Sequence, residues 1–121
     1  MTAEAVPYDI RERTFLFAVR VVKFADKFPR TLAGQKIAGQ LIDAATSVGA
    51  NVEEADGAES KKDRIHKYGI ARKEAKEARY WLRVAEATDL SHDPEGQALQ
   101  QESLELTKII SKIIINLSKS R

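Results

Sequence analysis

Two short spacings that contain histidine are the first places in this sequence where metal or nuclease chemistry could reside. Asp63 and His66 are three residues apart, as are the carboxylate and imidazole ligands of helical di-iron sites. Such sites need two Glu-x-x-His pairs, and the whole sequence has only two histidines. Lys61 and His66 resemble the spaced arginine and histidine of some helical ribonucleases, but the arginine is a lysine here. Neither pair predicts a metal site or a catalytic centre.

Other catalytic chemistry lacks its side chains. The sequence contains no cysteine, which excludes disulfides, thiolate metal ligands and thiol nucleophiles. Its six glycines do not cluster into a phosphate-binding loop, and no pairing of a nucleophile with a base is recognisable. We therefore predict a protein that is not an enzyme, has no catalytic residues and uses no metal or cofactor.

A row of four regularly spaced cations is the strongest chemical feature. This cation row consists of Arg72, Lys76, Arg79 and Arg83. Their spacing of four, three and four residues puts them on one face of a helix, over about 16 Å. Such a row suits the phosphate backbone of RNA or DNA. The alternative is a solvated face, or one that pairs with acidic residues of the same or another subunit.

Two aromatic residues follow within the same segment. Adjacent residues of a helix point in different directions, so Tyr80 and Trp81 are both expected to point away from Arg79 and Arg83. Trp81 is predicted to be an interface or core anchor rather than a surface on which bases stack.

Four helices must position these residues. Caps and hydrophobic periodicity predict helices over about residues 10–28, 32–56, 61–89 and 94–118. Asp9, Thr31 and Ser60 are suitable N-caps, and Asp93 precedes a proline at the first helical position. Amphipathic helices joined by short links predict an all-α fold, an antiparallel up-and-down four-helix bundle in one domain of residues 1–121.

The first predicted helix has more apolar surface than a lone bundle needs. Its seam comprises Ile10, Thr14, Phe17, Val21, Phe24 and Phe28. Beside the seam lie four further apolar residues, Phe15, Leu16, Val19 and Val22. Only a narrow strip around Arg13, Arg20, Lys23 and Lys27 is left as the solvated side. More than one neighbour should cover this helix, which predicts an oligomer.

The next two helices differ in charge. Residues 38–59 carry five acids and no base, whereas residues 61–83 carry nine bases and three acids. Pairing of these helices between subunits would give a structural assembly or protein–protein interaction module, which is the alternative to nucleic-acid binding. Gly39 and Gly49 interrupt the small-residue seam of the second helix and predict close approach of another backbone.

Two segments carry a family resemblance. Residues 40–54, QLIDAATSVGANVEE, resemble the Q-L-x-x-A-x-S-I-x-x-N-I-x-E segment of the four-helix-bundle proteins encoded in 23S ribosomal RNA intervening sequences. Residues 68–83, YGIARKEAKEARYWLR, resemble the family's I-A-x-x-E-A-x-E-x-x-Y-W-L segment. The glycine that commonly follows the acid of the first segment is Ala55 here, and Gly57 comes two positions later.

The resemblance implies a homopentameric ring of four-helix protomers, with a positively charged channel or face in some members, and no catalytic residues. One branch serves as the accessory subunit of reverse transcriptases in diversity-generating retroelements, where it binds nucleic acid and the transcriptase. The expected partners are therefore further copies of the chain, RNA or DNA, and a reverse transcriptase. Residues of the two segments with an expected structural or interface role are Ser47, Asn51, Glu54, Glu77 and Trp81.

Targeting signals are not found in the sequence. Met1 to Pro7 holds an acid, no base and no apolar stretch of signal-peptide type. The longest apolar run, Ile113 to Ile115, is far below the roughly 18 residues that suggest a membrane span. We expect a cytoplasmic protein that does not bind membranes.

Overall fold

Four α-helices build the molecule. The structure, a computed structural model, describes residues 9–120, so the expectation for Met1 to Pro7 lies outside the described residues. The helices are α1 (Ile10–Ala25), α2 (Leu32–Asp56), α3 (Lys61–Ala87) and α4 (Glu95–Lys119). Helices α1 and α3 each pack against both α2 and α4. Residues 9–120 contain no strand, and the predicted all-α four-helix bundle is confirmed.

Side-chain caps start the first three helices as predicted. The Asp9 carboxylate accepts the Glu12 N–H at 3.3 Å. The Thr31 hydroxyl accepts the Gly34 N–H at 3.0 Å, and the Ser60 hydroxyl accepts the Asp63 N–H at 3.0 Å. Each cap satisfies a donor that the first helical turn leaves free, so these polar residues fix where the helices begin.

The helix ends differ by one to three residues from the prediction. Helix α1 stops at Ala25 rather than Phe28, because the chain tightens into i→i+3 bonds before Pro29, which disfavours helical backbone in the residue ahead of it. Helix α3 stops at Ala87, and Asp89 then adopts a left-handed φ of 59°. Helix α4 begins at Glu95, whose N–H donates to the Asp93 carboxylate at 2.9 Å.

The predicted seams form the core. All six residues of the first seam are buried, five in α1 and Phe28 just after it, and Leu41, Val48 and Val52 of α2 are fully enclosed. Helix α3 contributes mainly small side chains, and helix α4 contributes Leu99, Leu106 and Ile110. The alanines of α3 allow its backbone to lie close to its neighbours, and this fixes which faces of α3 remain outside.

The predicted close approach of another backbone is found at one of the two glycines of α2 for which it was expected. A Cβ at Gly49 would lie 3.4 Å from the Thr14 carbonyl oxygen of α1, so the predicted close approach is confirmed there. The same prediction is wrong for Gly39, where a Cβ would meet nothing within 4 Å. The tightest position is Gly34, where a Cβ would lie 2.0 Å from the Pro29 carbonyl oxygen. The turn between α1 and α2 therefore requires glycine at this site.

The strip of α1 predicted to be solvated is partly an ionic contact. Arg13 donates from Nε and Nη2 to the two oxygens of Glu102, at 2.7 and 2.9 Å. Arg20 binds Glu95 in the same bidentate way, at 2.8 and 3.1 Å. Arg11 lies 3.4 Å from Glu53 and 3.3 Å from Asp56 of α2. Only Lys23 and Lys27 of the strip are exposed, because the arginines reach acids of α4.

Part of the apolar surface of α1 is uncovered within the protomer. Phe15, Leu16 and Val22 are exposed, and Val19 between them is half-buried. Their spacing puts them on one side of the helix, opposite the core seam. We call this side the outer strip of α1.

Candidate functional site

Helix α3 presents the cation row along its side next to α4. The seam of α3 buries Ala71, Ala75, Ala78 and Leu82, and each cation is one residue after one of these buried positions. The row therefore follows the border between α3 and α4, because the buried stripe fixes the rotation of the helix. All four predicted residues lie on one face, as their spacing requires.

The row has two depths. Arg72 and Arg79 are half-buried, and Lys76 and Arg83 are exposed. Arg72 donates from Nη1 to the Ser111 hydroxyl of α4 at 3.2 Å. The Arg79 Nε is buried without an acceptor. A buried donor of this kind costs on the order of 1–3 kcal/mol, so the fold holds the Arg79 guanidinium in place at a cost.

The four cations have no ionic partner in the part of the chain that the structure describes. Within residues 9–120, no carboxylate forms a salt bridge with any of them, and the one side-chain hydrogen bond that the row donates goes to a neutral serine hydroxyl. At the start of the same helix Lys67 behaves differently, because it lies 2.9 Å from Glu54, and the bond to Glu54 raises the pKa of Lys67. Lys67 is the only base of α3 with a salt bridge among residues 9–120, so the other bases of the helix, Lys61, Lys62, Arg64 and Lys73, share the lack of a carboxylate partner with the row.

Two carboxylates of α3, Glu86 and Glu74, lie near the row in sequence. Glu86 accepts hydrogen bonds from the Gln97 and Gln100 amides of α4, at 2.6 and 3.0 Å, and these bonds lower its pKa. Burial, and then repulsion from Glu77, raises the pKa of Glu74. Among the described residues, neither carboxylate forms a salt bridge with the row.

The residues expected to be structural separate into two groups. In α2 the Asn51 amide donates to the Ser47 carbonyl at 2.9 Å and to the Ser47 hydroxyl at 3.1 Å. Glu54, one turn further on, bridges to Lys67 of α3. Glu77 and Trp81 are brought together in α3, where the indole N–H donates to the Glu77 carboxylate at 3.1 Å.

The sequence predicts no role for Tyr80, and the expectation that Tyr80 points away from Arg83 is wrong, because residues three apart are neighbours on a helix surface. Its side chain is 54% exposed, and its ring meets the Trp81 ring edge to face, with centroids 5.0 Å apart and an interplanar angle of 74°. Trp81 is half-buried and packs against the core. The spacing contained a signal, because Tyr80 is four residues after Lys76 and three before Arg83, so it neighbours both on the helix surface.

The described residues were also compared with the requirements of a metal site and of a ligand cavity. In the part of the chain that the structure describes, no three His, Cys, Asp or Glu side chains form a group that could hold a metal ion. A cavity of about 300 Å³ lies beside Phe24 and Leu82 and is lined by Glu86, His92 and Asp93. His66 is exposed and does not line this cavity. No helix within residues 9–120 combines the length and apolar character needed to cross a membrane.

Fold and surface together define a class: a small four-helix bundle whose third helix carries a row of four cations that form no salt bridge within residues 9–120. Comparison with family models identifies the group. Residues 7–112 match the model of the 23S rRNA-intervening sequence protein family, and the chain belongs to this family. The resemblance predicted from the two sequence segments is confirmed. The family is not known as one of enzymes, and its function is not established.

A solved structure supports the assignment. The chain is similar to a protein with unknown function from the S23 ribosomal protein family of Bacteroides thetaiotaomicron VPI-5482, with a TM-score of 0.77 and 32% sequence identity. The match covers 87% of this chain and 97% of that one. No functionally curated protein matches the sequence.

Proposed function

We propose that this protein is a non-enzymatic, oligomeric nucleic-acid-binding protein, or an accessory subunit of a nucleic-acid enzyme, that holds a phosphate backbone along the cation row. The observation that carries the proposal is the lack of ionic partners for the row among residues 9–120, in a chain that pairs the arginines of α1. Like charges three and four residues apart destabilise a helix. A bound polyanion would remove that repulsion and release its own counterions.

The two depths of the row suit different tasks. Arg72 and Arg79 are packed at their stems, so they would present guanidinium groups in fixed positions to phosphate oxygens. Lys76 and Arg83 are exposed and would add charge that follows the backbone. Phosphate contacts carry no sequence information, so both RNA and DNA are expected ligands. The resemblance to accessory subunits adds a reverse transcriptase as a proposed protein partner.

The proposed assembly is a ring, most simply a pentamer, of single-domain antiparallel up-and-down bundles. Antiparallel packing is supported by the order of contacts between α1 and α4, where Arg13 pairs with Glu102 and the later Arg20 pairs with the earlier Glu95. Oligomerisation is supported by the exposed outer strip of α1. The ring and its pentameric number rest on the family resemblance.

The alternative is an assembly module in which the basic α3 pairs with the acidic segment of a neighbouring subunit. Three of the five acids of that segment are already engaged within the chain, because Glu53 and Asp56 pair with Arg11 and Glu54 pairs with Lys67. Asp43 and Glu59 form no salt bridge among the described residues and are too few to neutralise the row. This count favours nucleic acid over intersubunit pairing.

A matched pair of variants tests the proposal. The row variant changes Arg72, Lys76, Arg79 and Arg83 to Gln. The control changes four other exposed cations, Lys23, Lys27, Arg30 and Lys36, to Gln. Both lose four charges, so a difference between them reports position and not net charge. Binding of labelled single-stranded and duplex RNA and DNA is measured by fluorescence anisotropy, and the mass of each variant by light scattering.

We expect the row variant to lose affinity on the order of 100-fold with its mass unchanged, and the control to change about threefold or less. Equal affinity of the two variants would move the binding site elsewhere. Absence of binding by the wild-type oligomer would reject nucleic acid as the ligand. A fall of the row variant to monomer would favour the assembly module.

A further inference from the structure

An exposed aromatic ring stands beside the cation row without a partner from another helix. Tyr80 is 54% exposed, and its ring contacts that of the adjacent Trp81. The hydrogen bond from Trp81 to Glu77 and the packing of Trp81 against the core hold the indole in place. The indole in turn contacts the phenol ring at a steep angle, so Tyr80 is positioned while more than half of it stays exposed.

The cations nearest to this ring are the two exposed members of the row. Tyr80 is four residues after Lys76 and three residues before Arg83, which makes it a neighbour of both on the helix surface. Lys76 and Arg83 lie about 10 Å apart along the helix axis. A nucleic-acid strand held by both cations therefore passes over the phenol ring.

We infer that Tyr80 is a stacking surface for an unpaired nucleobase, and that the chain accordingly prefers single-stranded to duplex nucleic acid. This inference rests on the proposed function and adds the class of ligand. In a duplex the bases are paired and stacked on each other, so only the phosphates reach the row. In a single strand a base can turn onto the ring, and one stacked base adds about tenfold in affinity.

The test measures single-stranded and duplex RNA of the same sequence with the full-length chain. Tyr80→Ala removes the ring, Tyr80→Phe keeps it, and Tyr80→Leu keeps apolar bulk without an aromatic face. Leu32→Ala removes another exposed apolar side chain, far from the row in sequence, and serves as the control. Light scattering and circular dichroism verify assembly and helicity for each variant.

We expect Tyr80→Ala and Tyr80→Leu to weaken single-strand binding about tenfold and duplex binding less than twofold. Tyr80→Phe and Leu32→Ala should stay within about twofold of the wild type on both ligands. Trp81 is the only tryptophan of the chain, so its fluorescence reports on this site and should be quenched by a single strand but not by the same strand without bases.

Three outcomes would overturn the inference. They are unchanged single-strand affinity in Tyr80→Ala, an equal loss on both ligands, and a fall in mass, which would assign Tyr80 to a subunit contact. If the wild type binds both ligands and the row variant binds neither, any of these outcomes leaves the proposed function intact. If the wild type binds no nucleic acid, the proposed function itself fails.

Discussion

The arginines of α1 and the cation row of α3 carry the same charge but meet opposite surroundings. Arg11, Arg13 and Arg20 each pair with carboxylates of a neighbouring helix, two of them in bidentate geometry. The row on α3 meets a serine hydroxyl and solvent. The difference separates cations that hold the bundle together from cations that remain available to a ligand.

Helix α4 produces this difference for Arg13 and Arg20, whereas the acids that pair with Arg11 belong to α2. Helix α4 directs Glu95 and Glu102 to α1 and Ser111 to α3. Its glutamines Gln97 and Gln100 bind Glu86 and so hold that carboxylate at the end of α3. One helix thus neutralises the basic residues on one side and leaves those on the other side charged.

The largest effect on stability is expected when the contact between Arg13 and Glu102 is removed. Arg13→Gln leaves the Glu102 carboxylate, which is only 16% exposed, without its bidentate partner. We expect a loss of about 2 kcal/mol in the free energy of unfolding, between the values for surface and buried pairs. Urea denaturation measures it, and nucleic-acid affinity should stay unchanged. Arg83→Gln is the control and should change stability by less than about 0.5 kcal/mol. Equal losses in the two variants would contradict the division of roles.

A smaller effect is expected at the second ionic contact, and it depends on pH. The bond to Arg20 lowers the pKa of Glu95 below its usual value of 4.5, and the bond to Glu95 raises the pKa of Arg20. The stabilisation is therefore complete above pH 4.5 and is lost as the pH falls through the lowered pKa. Because both side chains are about a third exposed, we expect the pair to contribute about 0.5–1 kcal/mol.

Thermal denaturation of the wild type and of Arg20→Gln between pH 7 and pH 3 checks this expectation. The wild type should be more stable at neutral pH, and the difference should shrink as Glu95 becomes protonated. NMR titration should show the pKa of Glu95 moving up in the variant. A stability difference that stays constant over the whole range would contradict the ionic account.

The smallest effect on stability is expected at Arg79 of the cation row. Arg79→Met removes the buried Nε that has no acceptor and one of the like charges of the row. We expect the variant to gain about 0.5 kcal/mol in stability and to lose affinity for nucleic acid. Such a trade-off is typical of residues kept for function rather than for folding. A loss of stability together with unchanged binding would place Arg79 among the structural residues.

Local sequence signals were sufficient for much of the fold. The caps at Asp9, Thr31 and Ser60 depend on residues three positions apart, and the seams depend on a fixed helical period. The rotation of α3, and with it the face on which the cation row lies, follows from the same periodicity. The two family segments could also be recognised, because each is continuous in sequence.

Contacts between residues that are distant in sequence could not be predicted from the sequence. Arg13 and Arg20 looked like part of a solvated strip because their partners lie 89 and 75 residues away. Gly34 looked unremarkable because its constraint is the Pro29 carbonyl across a turn, and Gly39 looked constrained although the space beside it is open. For Tyr80, exposure decides its role, and exposure depends on how the other helices pack around α3.

The salt dependence of nucleic-acid binding tests whether the cation row binds the phosphate backbone. The logarithm of the affinity for a single strand is measured against the logarithm of salt concentration for the wild type, the row variant and the four-cation control. If the row neutralises four phosphates, replacing it should make the slope shallower by about 3, and the control should keep nearly the wild-type slope. Equal slopes for the row variant and the wild type would contradict the claim that these four cations bind the phosphate backbone.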